Sequence, residues 1–158
     1  MKIVEYTDKF KDGVIDLILN IQNIEFDVDI QLEEQPDIQD IHQYFTTSGG
    51  NFWLALDDHE KLIGTIGLQA LTPQMAILKK FFVNSEYRGH KVGKALYDEL
   101  LNFAEINNFL EIFLDTPSKA TQSHQFYRKA GFEEIPKQQL PVVYQYPDRN
   151  SLIFRLKL

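Results

Sequence analysis

Phe81-Phe82-Val83-Asn84-Ser85-Glu86-Tyr87-Arg88-Gly89-His90-Lys91-Val92-Gly93-Lys94-Ala95-Leu96 carries a strand through a glycine-bearing turn directly into a helix. The helix is marked by Val92, Leu96, Leu100, Phe103 and Ala104 recurring at helical spacing, while Lys94, Asp98, Glu99, Asn102 and Glu105 fall on the outer face. Main-chain N–H groups at such a helix start have no intrahelical partner and point outward with the positive end of the helix dipole. They can cradle a pyrophosphate, and Gly89 and Gly93 let a phosphate approach the main chain closely. Between Lys79 and Lys94 stand Lys79, Lys80, Arg88, Lys91 and Lys94 against the single acid Glu86, a basic island suited to a small polyanion.

Upstream of this stretch, Asn51 to Leu56, Leu62 to Leu71 and Met75 to Asn84 read as an antiparallel meander, with polar turns at Asp57-Asp58-His59-Glu60 and Thr72-Pro73-Gln74. Before the meander, Lys2 to Tyr6 reads as a strand. Asp8 is placed to cap a helix whose apolar face is Phe10, Val14, Leu17, Ile18 and Ile21. Glu25 to Asp40 holds seven acids and no Lys or Arg, and Asp37 is placed to cap a second short helix through Ile38, Ile41 and Phe45, ended by Gly49 and Gly50.

Downstream, Leu110 to Leu114 is a short apolar strand closing at Asp115. A strand, helix and strand in this order imply a parallel pair with a right-handed crossover. A last helix, Thr121 to Ala130, stops at Gly131, and Ser151 to Leu156 ends the sheet. No repeat or linker interrupts the chain, so residues 1–158 are expected to form one domain, a size that suits a single core.

Composition narrows the function. The formal net charge of −7 argues against nucleic acid as a general partner, because that binding is driven by neutralising phosphates with Lys and Arg. No cysteine is present, so a disulfide framework, a thiolate zinc site and a cysteine nucleophile are excluded, and a cytoplasmic location is expected. No signal-peptide pattern and no long apolar run point to a membrane. His42, His59, His90 and His124 share no metal-ligand spacing, and no metal is expected.

The run from Arg88 to Gly93 resembles the coenzyme-binding motif of the GCN5-related N-acetyltransferase (GNAT) family: Arg or Gln, two residues, Gly, one residue, then Gly or Ala. Lys91 stands where the family more often has its first glycine; its main-chain N–H can still donate there if the local dihedrals are ordinary. Phe126-Tyr127-Arg128-Lys129-Ala130-Gly131-Phe132 resembles the later Tyr…Gly-Phe signature, with Ala120 and Ser123 departing from the Asn and Ala common upstream of it. The order of elements also follows the family over nearly the whole chain.

The resemblance implies a mixed α/β domain with the acyl-CoA N-acyltransferase fold. Its sheet has about seven mostly antiparallel strands, splayed between the fourth and fifth, here Met75–Asn84 and Leu110–Asp115, and about four flanking helices. It implies acetyl-CoA as co-substrate, held by Phe82, Val83, Arg88, Gly89, His90, Lys91, Val92, Gly93 and Lys94, with a bulge near Phe82 or Val83 freeing a main-chain N–H for the oxyanion. Tyr127 resembles the tyrosine that acts as general acid toward the coenzyme sulfur, and Asp115 closes the fifth strand as a candidate base. Glu25, Asp27, Asp29, Glu33 and Glu34 border the acceptor side, where they would attract a cationic amine. The acceptor is a small-molecule or peptide amine chosen by the variable helices and the loop 140–147, and a homodimer is compatible with the family. Two other readings stay open: a domain that binds acyl-CoA as a sensor without turnover, and a nucleotide enzyme, which the absence of a phosphate-loop or dinucleotide fingerprint disfavours.

Overall fold

The computed structural model describes residues 1–141 and 150–158, so most of the loop 140–147 lies outside the described residues. Among the described residues, seven strands, β1 (Lys2–Glu5), β2 (Asn51–Leu56), β3 (Leu62–Ala70), β4 (Met75–Val83), β5 (Glu111–Thr116), β6 (Glu133–Ile135) and β7 (Leu152–Lys157), form one sheet. Their order is β1-β2-β3-β4-β5-β7-β6, and every pairing is antiparallel except β4 with β5. The helices are α1 (Lys11–Asn20), α2 (Pro36–Gln39), α3 (Val92–Ile106) and α4 (Thr121–Lys129). The mixed fold, the meander and the parallel pair agree with the sequence reading.

Strand alternation makes the sheet two-sided. Phe52, Leu54 and Leu56 of β2 pack with Val14 and Ile18 of α1 and Ile38 of α2, while Trp53 and Ala55 face the opposite layer, where Val92, Leu96, Leu100 and Ala104 of α3 are buried. Each large aliphatic side chain buried in this way stabilises the fold by about 1.5–3 kcal/mol. The helical spacing of the α3 apolar residues therefore fixes which face of that helix lies on the sheet, and this positions the turn before it.

Three local features differ from the sequence reading. Asp8 is not a cap: Thr7 precedes the turn Asp8–Phe10, and the Asp8 carboxylate accepts a hydrogen bond from the Tyr6 hydroxyl at 3.2 Å. Asp37 is not a cap either, because Pro36 takes the first helical position and pushes Asp37 into the buried first turn of α2, behind Gln35. The expected continuous helix through Ile38, Ile41 and Phe45 is divided into α2 and a wide turn over His42–Thr46. Gly131 ends α4 as expected, at φ +97°.

Two irregularities shape the site. α1 continues into a π turn over Ile21–Glu25, in which the Phe26 N–H donates to the Ile21 carbonyl at 3.0 Å. In β4, Lys79 pairs with Gly67 and Phe82 with Thr65, so Ile66 alone faces both Lys80 and Phe81. This bulge holds Lys80 at φ +56°. It lies one to two residues before the expected Phe82 or Val83, both of which keep register partners on β3. β4 and β5 pair only at Met75–Glu111, Ala76–Ile112 and Ile77–Phe113, after which they part.

Candidate active site

The turn between β4 and α3 is built by short-range hydrogen bonds. Asn84 Oδ1 accepts from the Glu86 N–H at 3.0 Å, which starts a tight turn over Ser85–Tyr87. The Tyr87 hydroxyl donates to Asp57 Oδ2 at 2.9 Å and ties the turn to the β2–β3 connection. Arg88 Nε donates to the Val83 carbonyl at 3.2 Å, and its two terminal nitrogens donate to the two carboxylate oxygens of Glu25. Gly89 follows at φ +82°, a conformation that favours glycine, and Lys91 precedes α3 at φ +64°. The Lys91 dihedrals are thus left-handed and not ordinary, which explains why a glycine suits this position.

Among the described residues, the main-chain N–H groups of Gly89, Lys91, Val92, Gly93 and Lys94 have no acceptor. The first bond of α3 on this side runs from the Ala95 N–H to the Lys91 carbonyl at 3.1 Å. Gly89, Lys91, Val92 and Gly93 line a cavity of about 930 Å³, which also takes in Phe81 to Val83 of β4 and Ala120 to Ser123, Phe126 and Tyr127 of α4 and its approach. A concavity of this size and a row of unpaired donors at a helix start fit a diphosphate-bearing ligand. The basic island, however, is divided. Lys79 and Lys80 turn to Asp37, Lys94 pairs with Asp98 at 2.6 Å, and Arg88 is held by Glu25. His90 donates its N–H to the Tyr87 carbonyl at 3.3 Å and does not line the cavity, because the preceding turn points it to solvent. The cradle therefore relies on main-chain donors more than on side-chain charge.

Tyr127 sits where this cavity meets a second one of about 570 Å³; Phe26, Phe81, Phe82, Ala120 and Ser123 also line both. The phenol is buried among the rings of Phe81, Phe132 and Phe154, at centroid distances of 6.2, 5.7 and 5.9 Å. Burial, and after it the Asp115 carboxylate, push the phenol well above the ordinary tyrosine range, so it keeps its proton. His124, one turn earlier and buried, places Nε2 2.9 Å from the Pro117 carbonyl and anchors the start of α4 to the end of β5.

A model of the Acetyltransferase (GNAT) family matches residues 15–132, well over half of the chain. The chain belongs to the GNAT family. A GNAT acetyltransferase from Staphylococcus aureus Mu50 superposes with a TM-score of 0.94 at 36% identity, covering 99% of this chain and 98% of that one. An acetyltransferase from Streptococcus agalactiae 2603 gives a TM-score of 0.93 at 40% identity, again covering 99% and 98%. The N-acetylaspartate synthetase of Xenopus tropicalis is 31% identical over 101 residues, which is 63% of this chain and 37% of that protein. The chain thus spans little more than a third of this curated relative.

Within the GNAT frame, the residues singled out in the sequence fall into three groups. Arg88, Gly89, Lys91, Val92 and Gly93 line the larger cavity with Phe82, Val83 and Tyr127. Asp115 lines the second cavity, as Tyr127 also does, and is not on the larger one. Of the acids read as an attractor for a cationic amine, Glu25 is neutralised by Arg88, so the run no longer presents uncompensated charge throughout. Asp27 lines the larger cavity and Glu34 the smaller. Among the described residues, no group of three or more His, Asp or Glu side chains is arranged to hold a metal, and no helix is long and apolar enough to cross a membrane.

Sequence reasoning missed the buried network of Asp37, Gln35, Gln22, Lys79 and Lys80. Its one signal was two consecutive lysines inside an apolar strand, where alternation must turn one of them inward. Thr65 is part of the same device: fully buried, it donates from Oγ1 to the Lys80 carbonyl at 2.7 Å and fixes the bulge.

Proposed function

We propose that this chain transfers the acetyl group of acetyl-CoA to the primary amine of an acceptor. The observation that carries this reading is the row of unpaired N–H groups from Lys91 to Gly93, opening on a cavity that shares Tyr127 with a second one. Bound acetyl-CoA supplies a thioester: the amine's N–C bond forms as the C–S bond breaks, one amine proton leaves, the sulfur gains one, and an amide and free CoA result. The N–H groups of Lys91, Val92, Gly93 and Lys94 hold the diphosphate, with Gly89 giving the turn its shape. Main-chain donors of β4 near Phe82 and Val83, beyond the last pairing with β5, serve the carbonyl oxygen as negative charge develops there.

Tyr127 holds a proton at its phenol oxygen and is the proton donor to sulfur. Its place where the two cavities meet supports the role; the phenol is protonated at physiological pH, and the upward shift keeps it so without itself favouring donation. Asp115, on the amine side, accepts the proton that the ammonium must lose, a loss that costs a lysine-like amine about 4–5 kcal/mol at neutral pH. The acetyltransferase relatives support the reaction class, and the N-acetylaspartate synthetase similarity makes an amino acid a reasonable first acceptor to assay.

Release of CoA thiol with a mixed amine panel tests the reading. Tyr127→Phe is expected to lower kcat by about 10²–10⁴ while acetyl-CoA still binds. Tight acetyl-CoA binding with no amine-stimulated release from the unaltered protein would instead identify a sensor.

A further inference from the structure

The second cavity has a charged wall. Lys80 reaches it because the β4 bulge turns the residue out of strand alternation, at φ +56°, and Thr65 locks that backbone. The Lys80 side chain is only 13% exposed; Nζ donates to Gln35 Oε1 at 2.6 Å and lies 3.5 Å from Asp37 Oδ2. Lys79 Nζ lies 3.5 Å from the same Asp37 oxygen. Asp37 Oδ1 already accepts from the Ile38 N–H at 3.0 Å. Gln35 is held in turn by Gln22, whose Oε1 accepts from Gln35 Nε2 at 2.8 Å.

Lys79 and Lys80 thus share the carboxylate of Asp37 on this wall, and the other charged side chains lining the same cavity are Glu34 and Asp115. A partly buried ammonium that shares its carboxylate is favoured by an anion brought against it. Burial pulls the Lys80 ammonium below the ordinary lysine range, with Asp37 and Asp115 opposing that pull. Asp115 lines the same cavity as Lys80 and Tyr127 and acts electrostatically on both. The cavity thus offers a pair of lysines on one wall, a carboxylate at Asp115 and the proton-holding phenol of Tyr127.

We propose that the acceptor is an amino-acid-type zwitterion, its carboxylate held by Lys79 and Lys80 and its amine turned toward Asp115 and Tyr127. The proposal rests on the acetyl-transfer reading for the identity of the reaction, but its recognition element stands on the lysine wall alone. A diamine or an amino-acid amide has no carboxylate to offer this wall. Lys79 and Lys80 are accordingly specificity-determining residues, and the rigid bulge is the device that presents them.

The test compares L-aspartate and L-alanine with L-alaninamide and 1,4-diaminobutane, both by CoA-thiol release and by isothermal titration into the CoA-saturated protein. Each acid is expected to exceed alaninamide and the diamine by at least tenfold in kcat/KM and in affinity. In Lys80→Met the acid-over-amide ratio should collapse toward one. Lys79→Met, a change at a more exposed side chain, should lower the ratio severalfold and serves if the Lys80 variant does not fold. Equal or better performance by alaninamide or the diamine, or no detectable binding of either acid, overturns the proposal. Turnover that prefers the diamine would sink this inference and leave acetyl transfer standing. Acid-selective binding without turnover of any amine would do the reverse.

Discussion

Arg88 and Glu25 meet guanidinium to carboxylate, in a two-pronged pair that spans 63 residues of chain and joins the end of the α1 π turn to the cradle before α3. The Phe26 ring lies 5.9 Å from the same guanidinium. Both partners line the larger cavity, so a negative side chain stands beside the donors that would receive a diphosphate. Glu25→Gln should tighten acetyl-CoA binding roughly two- to fivefold, because it removes that repulsion and frees the guanidinium. Isothermal titration checks this. A weaker affinity would mean that the pair organises the site more than it opposes the ligand.

Lys91 pays a conformational penalty that a glycine at the same position avoids. At φ +64° the L side chain costs about 1–2 kcal/mol, and the extra flexibility of an unfolded glycine returns about 0.5–1 of it. Lys91→Gly is therefore expected to raise stability by up to about 1 kcal/mol, seen as a shift in the urea midpoint at constant slope. Affinity for acetyl-CoA should change by less than about threefold, since the donor at this position is the main chain.

Three tyrosines give the fold an alkaline limit. Burial, followed by Asp8, pushes Tyr6 up to about 12, and burial, followed by Asp98, pushes Tyr97 up to about 12. Burial and Asp115 raise Tyr127 further. Above pH about 10 the unfolded chain releases these protons while the folded chain keeps them, so the unfolded state binds fewer protons and stability falls as pH rises. Below pH 10 this contribution is fully present. Thermal melts between pH 9 and 11.5 should show the decline, while a flat melting temperature across that range would contradict it.

Tyr97 adds a separate stability effect. Among the described residues its hydroxyl is buried without a hydrogen-bond partner, near Phe126 and Phe132. Tyr97→Phe should stabilise the fold by about 1 kcal/mol at neutral pH and make the alkaline decline shallower. Differential scanning calorimetry at pH 7 and pH 11 separates the two effects.

What the sequence disclosed and what it hid divide along the range of the interactions. β2 was legible because Phe52, Leu54 and Leu56 alternate with Trp53 and Ala55, and α3 because its apolar residues keep one face. The cradle was legible because a strand, a turn and a helix are contiguous. An acid ahead of Ile38, Ile41 and Phe45 reads as a cap, but Pro36 takes the first helical position, and only the fold brings Lys79 and Lys80 to the Asp37 carboxylate. The bulge expected at Phe82 or Val83 lies instead at Lys80 and Phe81, because no glycine marks Lys80 and a buried threonine on the neighbouring strand supplies the constraint. Likewise nothing local foretells that Glu25 and Arg88 meet.

The brief pairing of β4 with β5 has a thermodynamic corollary. Past Ile77 the sheet carries two internal edges whose backbone groups, among the described residues, lack the neighbour that an ordinary ladder would provide. A small molecule seated in that seam binds the folded chain and not the unfolded one, stabilising it by about 2.7 kcal/mol at a hundredfold excess over its Kd. Resistance to heat or proteolysis then becomes a gauge of how full the seam is.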